Sequence, residues 1–525
     1  MAVPSYTTDL TDIADLDSSG GTAVEPATLY TAGRSPIEDD TDFPIQGTVH
    51  ASLTLNAVGN GGILVPGDTF TYSAGDYIFG WLIWLAPSTI DTYANGGLSM
   101  LLGSSASVFN VYYVGGSDRA PNPYGGWQNI AVLPTMTPDE NAGTPTAYHY
   151  VGAGVKCISK VSKGNPLGFD VFRYGRGEVR IAGGSSGDGY ATFTGIAAVN
   201  DNNSNRWGLF QAIDGGYKWK GLLTFGYGAL TEFVDANTSI VIDNTEWVSS
   251  DFNRIEIKNT SSDITWTAIN ITALGTVSKG EFEMIDNATV TIDSCTFTDM
   301  STFIFQSNGD ISNTTFRRCG QITQGGASFD NCVITKSTAA SSMVATSTTP
   351  ITNCTFESDG SNYAVNLGNI DADVSMSWNN TLIDYATSNG STGNEAIYCS
   401  VASGKTLTIN VTGGDAPTYH NAGVGTVTVV SSFDHIITGL ELNTEVTYVT
   451  AGTTTELYHV ENATVSDGDG KYKTTYAHGG GDTVDILIHH VDYKPDISNI
   501  YGITLPSAEA TIKVQMFADE NYFNP

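Results

Sequence analysis

A short pattern recurs along the middle of this 525-residue chain: an apolar residue, two residues, a small residue, one residue, then an apolar or aromatic one. It occurs at Ile242/Thr245/Trp247, Ile264/Thr267/Ile269, Ile292/Cys295/Phe297, Ile311/Thr314/Phe316, Phe329/Cys332/Ile334 and Ile351/Cys354/Phe356, with a degenerate copy at Met376/Asn379/Thr381. The first positions are separated by 22, 28, 19, 18, 22 and 25 residues. A period in this range marks a stacked solenoid, and unequal steps imply loops of unequal length.

Strict strand alternation fails within one copy, because Ile292 and Cys295 are an odd number apart and would face opposite sides of a straight strand. A two-residue corner at Asp293 and Ser294 resolves the conflict. Val290 and Ile292 then point inward on one strand, Cys295 and Phe297 on the next. The second corner residue is Asn244, Asn313, Asn331 and Asn353 in four copies, and asparagine tolerates the left-handed backbone of a sharp bend. Corners stacked one turn apart, about 4.8 Å, would let their amides form a ladder. The expected fold of residues 216–432 is therefore a right-handed parallel β-helix. "IYCSVASGKTLTINVTGG" and "GTVTVVSS" would supply its last coils.

The inward column Cys295, Thr314, Cys332, Cys354 places a small, weakly polar side chain at each tight bend. Cys332 and Cys354 would lie on neighbouring coils within disulfide reach. Free buried thiols are the expectation, because "MAVPSYTTDLTDIADLD" has neither the basic nor the apolar region of a signal peptide.

The flanks lack the period. Residues 46–215 alternate apolar and polar positions between Gly- and Pro-rich turns, as in a β-sandwich or jelly roll. Residues 1–45 are acidic and read as an extended arm that orders against a partner. Residues 433–525 suit a small β-sandwich, whose closing "NYFNP" carries aromatics that suggest docking. The 58 glycines, with abundant Thr, Ser and Asn, support an all-β chain. "YIFGWLIWLAP" is far shorter than the roughly 20 residues that span a bilayer and reads as a buried strand.

Net charge is -33, from 55 acidic and 22 basic residues. That argues against a nucleic-acid surface and suits a salty medium that screens self-repulsion. The six cysteines and eight histidines lack zinc spacing, and adjacent His489 and His490 face opposite sides of a strand. Asp201–Asn205 resembles a calcium loop, but Arg206 stands where glycine is required and Ala212 where the closing glutamate is. Asp467 and Asp469 are similarly weak, and Asx turns explain both stretches. The sequons at Asn287 and Asn462 follow from composition.

Some parallel β-helices cleave polysaccharides with carboxylates on an outer face. Asp293 and Asp330 share a corner position two coils apart, about 9.6 Å, near the upper limit for an inverting pair. Asp243 holds the same place without a partner carboxylate, so a corner role outweighs a catalytic one. Trp127 could stack on a sugar, whereas Trp81 and Trp84 sit among apolar neighbours and read as core.

The stretches "RGEVRIAGG", "GYATFTGIAAVNDNNSNRWGLFQAIDGGYKWKGLLTFG", "TALGTVSKGEFEMIDNATVTIDSCTFTDMSTFIFQSN" and "IHHVDYKP", with the "MFADENYFNP" ending, resemble virion proteins of tailed bacteriophages, marine ones especially. The likeness spans most of residues 170–525. It implies a structural or host-binding part of the particle with a β-helical shaft, of tail-fibre or tailspike type, and brings no catalytic motif. The expectation is a non-enzymatic virion component without cofactor, metal or membrane insertion. Its partners would be other virion proteins, a host glycan or receptor, and two further copies of itself, since three β-helices side by side bury apolar flanks. A capsid-surface fibre, a polysaccharide depolymerase and a sugar-binding N-terminal sandwich are the alternatives.

Overall fold

The computed structural model describes residues 5–14, 16, 23–31, 38–55, 58–84, 87–118, 127–158, 167–182, 191–200, 207–226, 232–243, 254–258, 262–274, 280–285, 288–345, 349–431, 433–478, 482–493, 499–506 and 509–517. Among these the chain is almost entirely β, with one α-helix, Phe193–Asn200. Two compact units divide it, Met1–Ser328 with Thr335–Ala339, and Phe329–Ile334 with Ala340–Pro525.

The first unit opens with two antiparallel sheets. One orders Glu140–Ala142, Val108–Gly115, Leu98–Ser105, Tyr148–Cys157 and Gly59–Phe70. The other orders Glu38–Asp40, His50–Leu53, Leu167–Gly175, Tyr77–Trp84 and Gln128–Val132. Ile63, Leu82, Trp84, Met100, Leu102 and Phe169 pack together in the main core. Tyr77–Trp84, from the apolar run singled out above, is buried at every position but Ile83.

The N-terminal segment is not an arm awaiting a partner. Ser5–Thr8 pairs antiparallel with Glu178–Ala182 and Thr11–Ala14 with Leu167–Gly175. Ile13, Leu16 and Tyr30 are buried, and Asp9 accepts the backbone N–H groups of Arg176 and Glu178. Few but well-spaced apolar side chains, strand pairing and the carboxylates of Asp9 and Asp12 hold its described residues against its own chain.

The same unit then becomes a parallel stack. Glu178–Ala182, Leu222–Phe225, Arg254–Ile257, Glu281–Met284, Thr302–Ile304 and Ile322–Thr323 pair in that order. Between successive members the chain adds two strands to another sheet, as Asp263–Thr267 and Asn270–Leu274 do before Thr289–Asp293 and Thr296–Thr298. Inward columns follow the register: Trp266, Ile292 and Ile311 in one, Ile271, Phe297 and Phe316 in another, Phe282, Phe303 and Ile322 in a third. All nine side chains are buried. Parallel pairing begins at Glu178, upstream of the boundary expected at residue 216, because the first turn runs from Glu178 to Leu222 and holds the helix. That length hides the period.

The corners have the expected backbone. Ser294, Asn313, Asn331 and Asn353 have φ of 57°, 49°, 51° and 57°. Two copies need correction. Trp266, not Ile264, pairs with Ile292, so that copy slipped by two, which keeps the same face in strand geometry. Ile242 pairs with Ala273, beyond the corner. The true corner of that turn is Asn237, φ 53°, since Ala236 pairs with Thr267 and Thr267 with Asp293. Asn244, Thr245 and Trp247 lie outside the described residues. A second bend went unread: Asp299, Arg318 and Lys336 have φ of 60°, 51° and 50°.

The second unit continues the same kind of pairing. Ser341–Val344, Tyr363–Ile370, Ile397–Val401 and Tyr419–Asn421 form one ladder, and Ile351–Glu357, Val374–Ile383, Thr406–Gly414 and Thr426–Ser431 another. The degenerate copy is out of register: Asn379 pairs with Thr352 and Leu382 with Phe356, while buried Trp378 takes the inward place given to Met376. There one strand of ten residues, with register shifts against both neighbours, stands in place of the two strands and corner.

Residues beyond Phe433 form two four-stranded sheets. Val465–Ser466, Tyr472–His478, Phe433–Leu440 and Ala510–Lys513 make one, and Glu456–Val460, Glu445–Thr450, Thr483–His489 and Ile500–Thr504 the other. Ile437, Val446, Tyr448, Ile486 and Leu505 fill their core. The "NYFNP" ending lies outside the described residues. All six cysteines are buried thiols that form no disulfide, Cys332 and Cys354 included.

Candidate functional site

The corner carboxylates are occupied by their neighbours. Asp293 Oδ1 accepts hydrogen bonds from Asn313 Nδ2 at 2.7 Å and Ser312 Oγ at 2.9 Å, and Oδ2 from Ser294 Oγ at 3.0 Å. The Asn313 amide, then the Ser312 hydroxyl, hold this carboxyl below the usual range. Asp330 Oδ1 repeats the arrangement with Asn353 Nδ2 at 2.7 Å and Thr352 Oγ1 at 2.8 Å. Asn353 Oδ1 in turn accepts from Asn379 Nδ2 at 2.7 Å, so these corner amides bond mainly to aspartates of the preceding turn and in one pair to each other. A general acid needs its proton held, and donors aimed at the ionised form do the opposite. The two aspartates also belong to different compact units.

Other sequence candidates resolve into structural roles. Exposed His489 places Nδ1 3.5 Å from Glu445 Oε2. His490 Nε2 lies 2.9 Å from the Leu442 carbonyl oxygen. Asp467 accepts the backbone N–H groups of Asp469, Lys471 and Gly439, an Asx-type turn whose bonds hold its carboxyl low. Asp201–Asn205, Arg206 and Asn287 lie outside the described residues, and Ala212 ends no calcium loop within them.

Trp81 and Trp84 are buried. Trp127 is half-buried; its Nε1 donates to the Phe43 carbonyl at 2.7 Å and its ring meets His50 edge-on at 5.0 Å. Phe43 has φ of 58° and its side chain is 84% exposed, an unusual backbone for a bulky residue. Buried His50 is held below the ordinary imidazole range by burial, against the pull of Asp40. Its Nδ1 lacks a hydrogen-bond partner among the described residues. No sequence signal marks Phe43, because positive φ at phenylalanine follows from tertiary contacts alone.

A further concavity of about 280 Å³ opens in the C-terminal sandwich, lined by Tyr458, Asn462, Thr464, Lys473, Thr474 and Thr475 among others. It forms where the edge strands of the two sheets, Glu456–Val460 and Val465–Ser466, run out. The latter is only two residues long and leaves the inner faces uncovered. Tyr458 Oη lies 3.1 Å from Thr474 Oγ1, and its ring stacks on Tyr476 at 5.1 Å.

No family model matches the chain, and no curated protein does. Among solved structures, the C-terminal CBM6 of a marine laminarinase from Zobellia galactanivorans is 15% identical, covers 29% of this chain and 96% of its own, at TM-score 0.15. The CBM22-1–GH10 modules of an endo-1,4-β-D-xylanase from Clostridium thermocellum are 11% identical, covering 49% and 39%, at 0.18. The catalytic unit of a GH87 α-1,3-glucanase from Streptomyces thermodiastaticus is 11% identical, covering 78% and 95%, at 0.18. Scores this low carry no inference about this chain.

Proposed function

We propose that this chain is a non-enzymatic component of a tailed-phage virion, in which a right-handed parallel β-helix is a stiff spacer between β-domains that dock on the particle and contact a neighbour or the host. The supporting observation is the constant register of the parallel pairing in the first unit, as in Ile271, Phe297 and Phe316. Each coil buries its apolar face on the next, giving length without a large globular core. Open coil ends would expose unpaired strands, and flanking domains cap them. A tail fibre or spike is the first placement, a capsid-surface fibre the second, and a homotrimer the assembly.

The depolymerase reading is disfavoured by the bonds that hold Asp293 ionised. Immunogold labelling of purified particles tests the proposal. Density on the tail is expected, and particles that lack the chain overturn it. Release of reducing ends from host capsule, abolished by Asp293→Asn or Asp330→Asn, would establish the depolymerase instead.

A further inference from the structure

We infer that the cleft at the open edge of the C-terminal sandwich binds a carboxylated sugar residue, a uronate of an acidic polysaccharide. The inference deepens the attachment reading by naming what this domain touches, and rests on that reading only for the source of the sugar.

The volume, about 280 Å³, suits one sugar ring and is below the usual range of drug-sized pockets, about 300–1,000 Å³. Tyr458 supplies an aromatic wall with a polar tip. Stacking on Tyr476 and the Thr474 hydroxyl already fix its ring, so little side-chain freedom is lost on binding. Asn462, Thr464 and Thr475 are exposed at the cleft and offer the amide and hydroxyl groups that sugar hydroxyls require.

Charge selects the ligand. Residues 433–525 contain four lysines, no arginine and fourteen acidic residues. Lys471 pairs with Glu441, and Lys513 with Asp469 at 3.1 Å. Lys473 makes no ion pair among the described residues, is half-buried, and lines the cleft. The one uncommitted ammonium among the described residues of this acidic domain attracts a single negative charge at short range, while the surrounding acidity repels a dense polyanion. A peptide adding as a strand would need a long free edge; Val465–Ser466 offers two residues, and the lining is rich in hydroxyl groups.

Isothermal titration calorimetry of the full chain would compare the singly charged methyl glycosides of galacturonate, glucuronate and mannuronate with their neutral methyl esters. At least one acid form is expected to bind about tenfold more tightly than its ester, a gap of about 1.4 kcal/mol, and more weakly as salt rises. Lys473→Gln is expected to remove that preference with an unchanged melting temperature, whereas Lys513→Gln, outside the cleft, retains it. Hydrogen-exchange protection on binding is expected at residues 458–465 and 473–475. Failure of all three acids to bind, equal binding of acid and ester, an unaltered Lys473→Gln variant, or protection confined elsewhere, as strand addition of a peptide-like ligand would give, overturns the inference. Uronate binding by a chain absent from particles would sink the attachment reading alone. A chain on the tail that ignores uronates would sink this inference alone.

Discussion

Within the first compact unit, the parallel stack and the antiparallel sandwich reach stability by different means. The stack repeats itself: Phe297 stacks on Phe316 at 5.3 Å and Phe282 on Phe303 at 6.3 Å, and each ring lies one turn from a similar ring. The sandwich relies on singular contacts. Buried Asp170 accepts the N–H groups of Ile45 at 2.8 Å and Gln46 at 3.1 Å through Oδ2, and of Val171 at 2.9 Å through Oδ1. Buried Arg173 donates to Asp12 and Gln46, both at 2.7 Å. Val171 between them has φ of 49° at a strand irregularity, a costly backbone for a β-branched residue. Repetition spreads energy over similar neighbours, whereas the sandwich adds a few singular polar contacts to its apolar core.

Substitutions can break or sharpen that contrast. The largest expected effect is Phe297→Ala, a loss of about 3–5 kcal/mol from an emptied aromatic site, read by denaturant unfolding. A loss under about 1 kcal/mol would mean the rungs collapse around the gap. Asp170→Ala should cost about 3 kcal/mol, because three N–H groups lose a charged acceptor. Asp293→Ala, at an exposed corner, should cost much less, and equal losses would erase the distinction. Asn353→Ala should cost about 1 kcal/mol, part from left-handed backbone and part from the ladder, with Asn353→Gly restoring the backbone share.

The smallest effect is one of pH on the C-terminal sandwich. Burial holds His435 below the ordinary imidazole range, aided by His478, which burial also holds low against Asp482 and Asp434. His435 Nδ1 lies 2.8 Å from Tyr448 Oη, and Tyr476 packs against His478. Because the unfolded state binds more protons as pH falls, this contribution is complete above about 6.5 and is lost below it, toward the depressed folded values. Melting curves should show the C-terminal sandwich weakening between neutral and mildly acidic pH. His478→Gln should flatten the dependence.

The all-β character, the corner and the inward positions from Ile292 to Phe356 were legible in the sequence because each turn repeats one environment. The copy at Ile264 slipped because a pattern of period two cannot choose between registers two residues apart, and the copy at Ile242 fell on the strand beyond the corner. The pairing of Glu178 with Leu222 was invisible, since one long turn breaks the period. Trp127 was visible as a candidate, but not Phe43, whose exposure depends on a backbone set by distant contacts. Nor was the cleft readable: Tyr458 and Lys473 meet only because the edges of two sheets end together. Lys473 stands out only once Lys471 and Lys513 have found partners 30 and 44 residues away.

The buried thiols have a chemical consequence. Burial pushes Cys295 and Cys399 up to about 11, and Cys157 and Cys319 up to about 12. Since only the thiolate attacks a disulfide, these sulfurs resist exchange in oxidising water while the strands around them remain closed. Alkylation at each position therefore becomes a local clock, recording how often that part of the chain breathes.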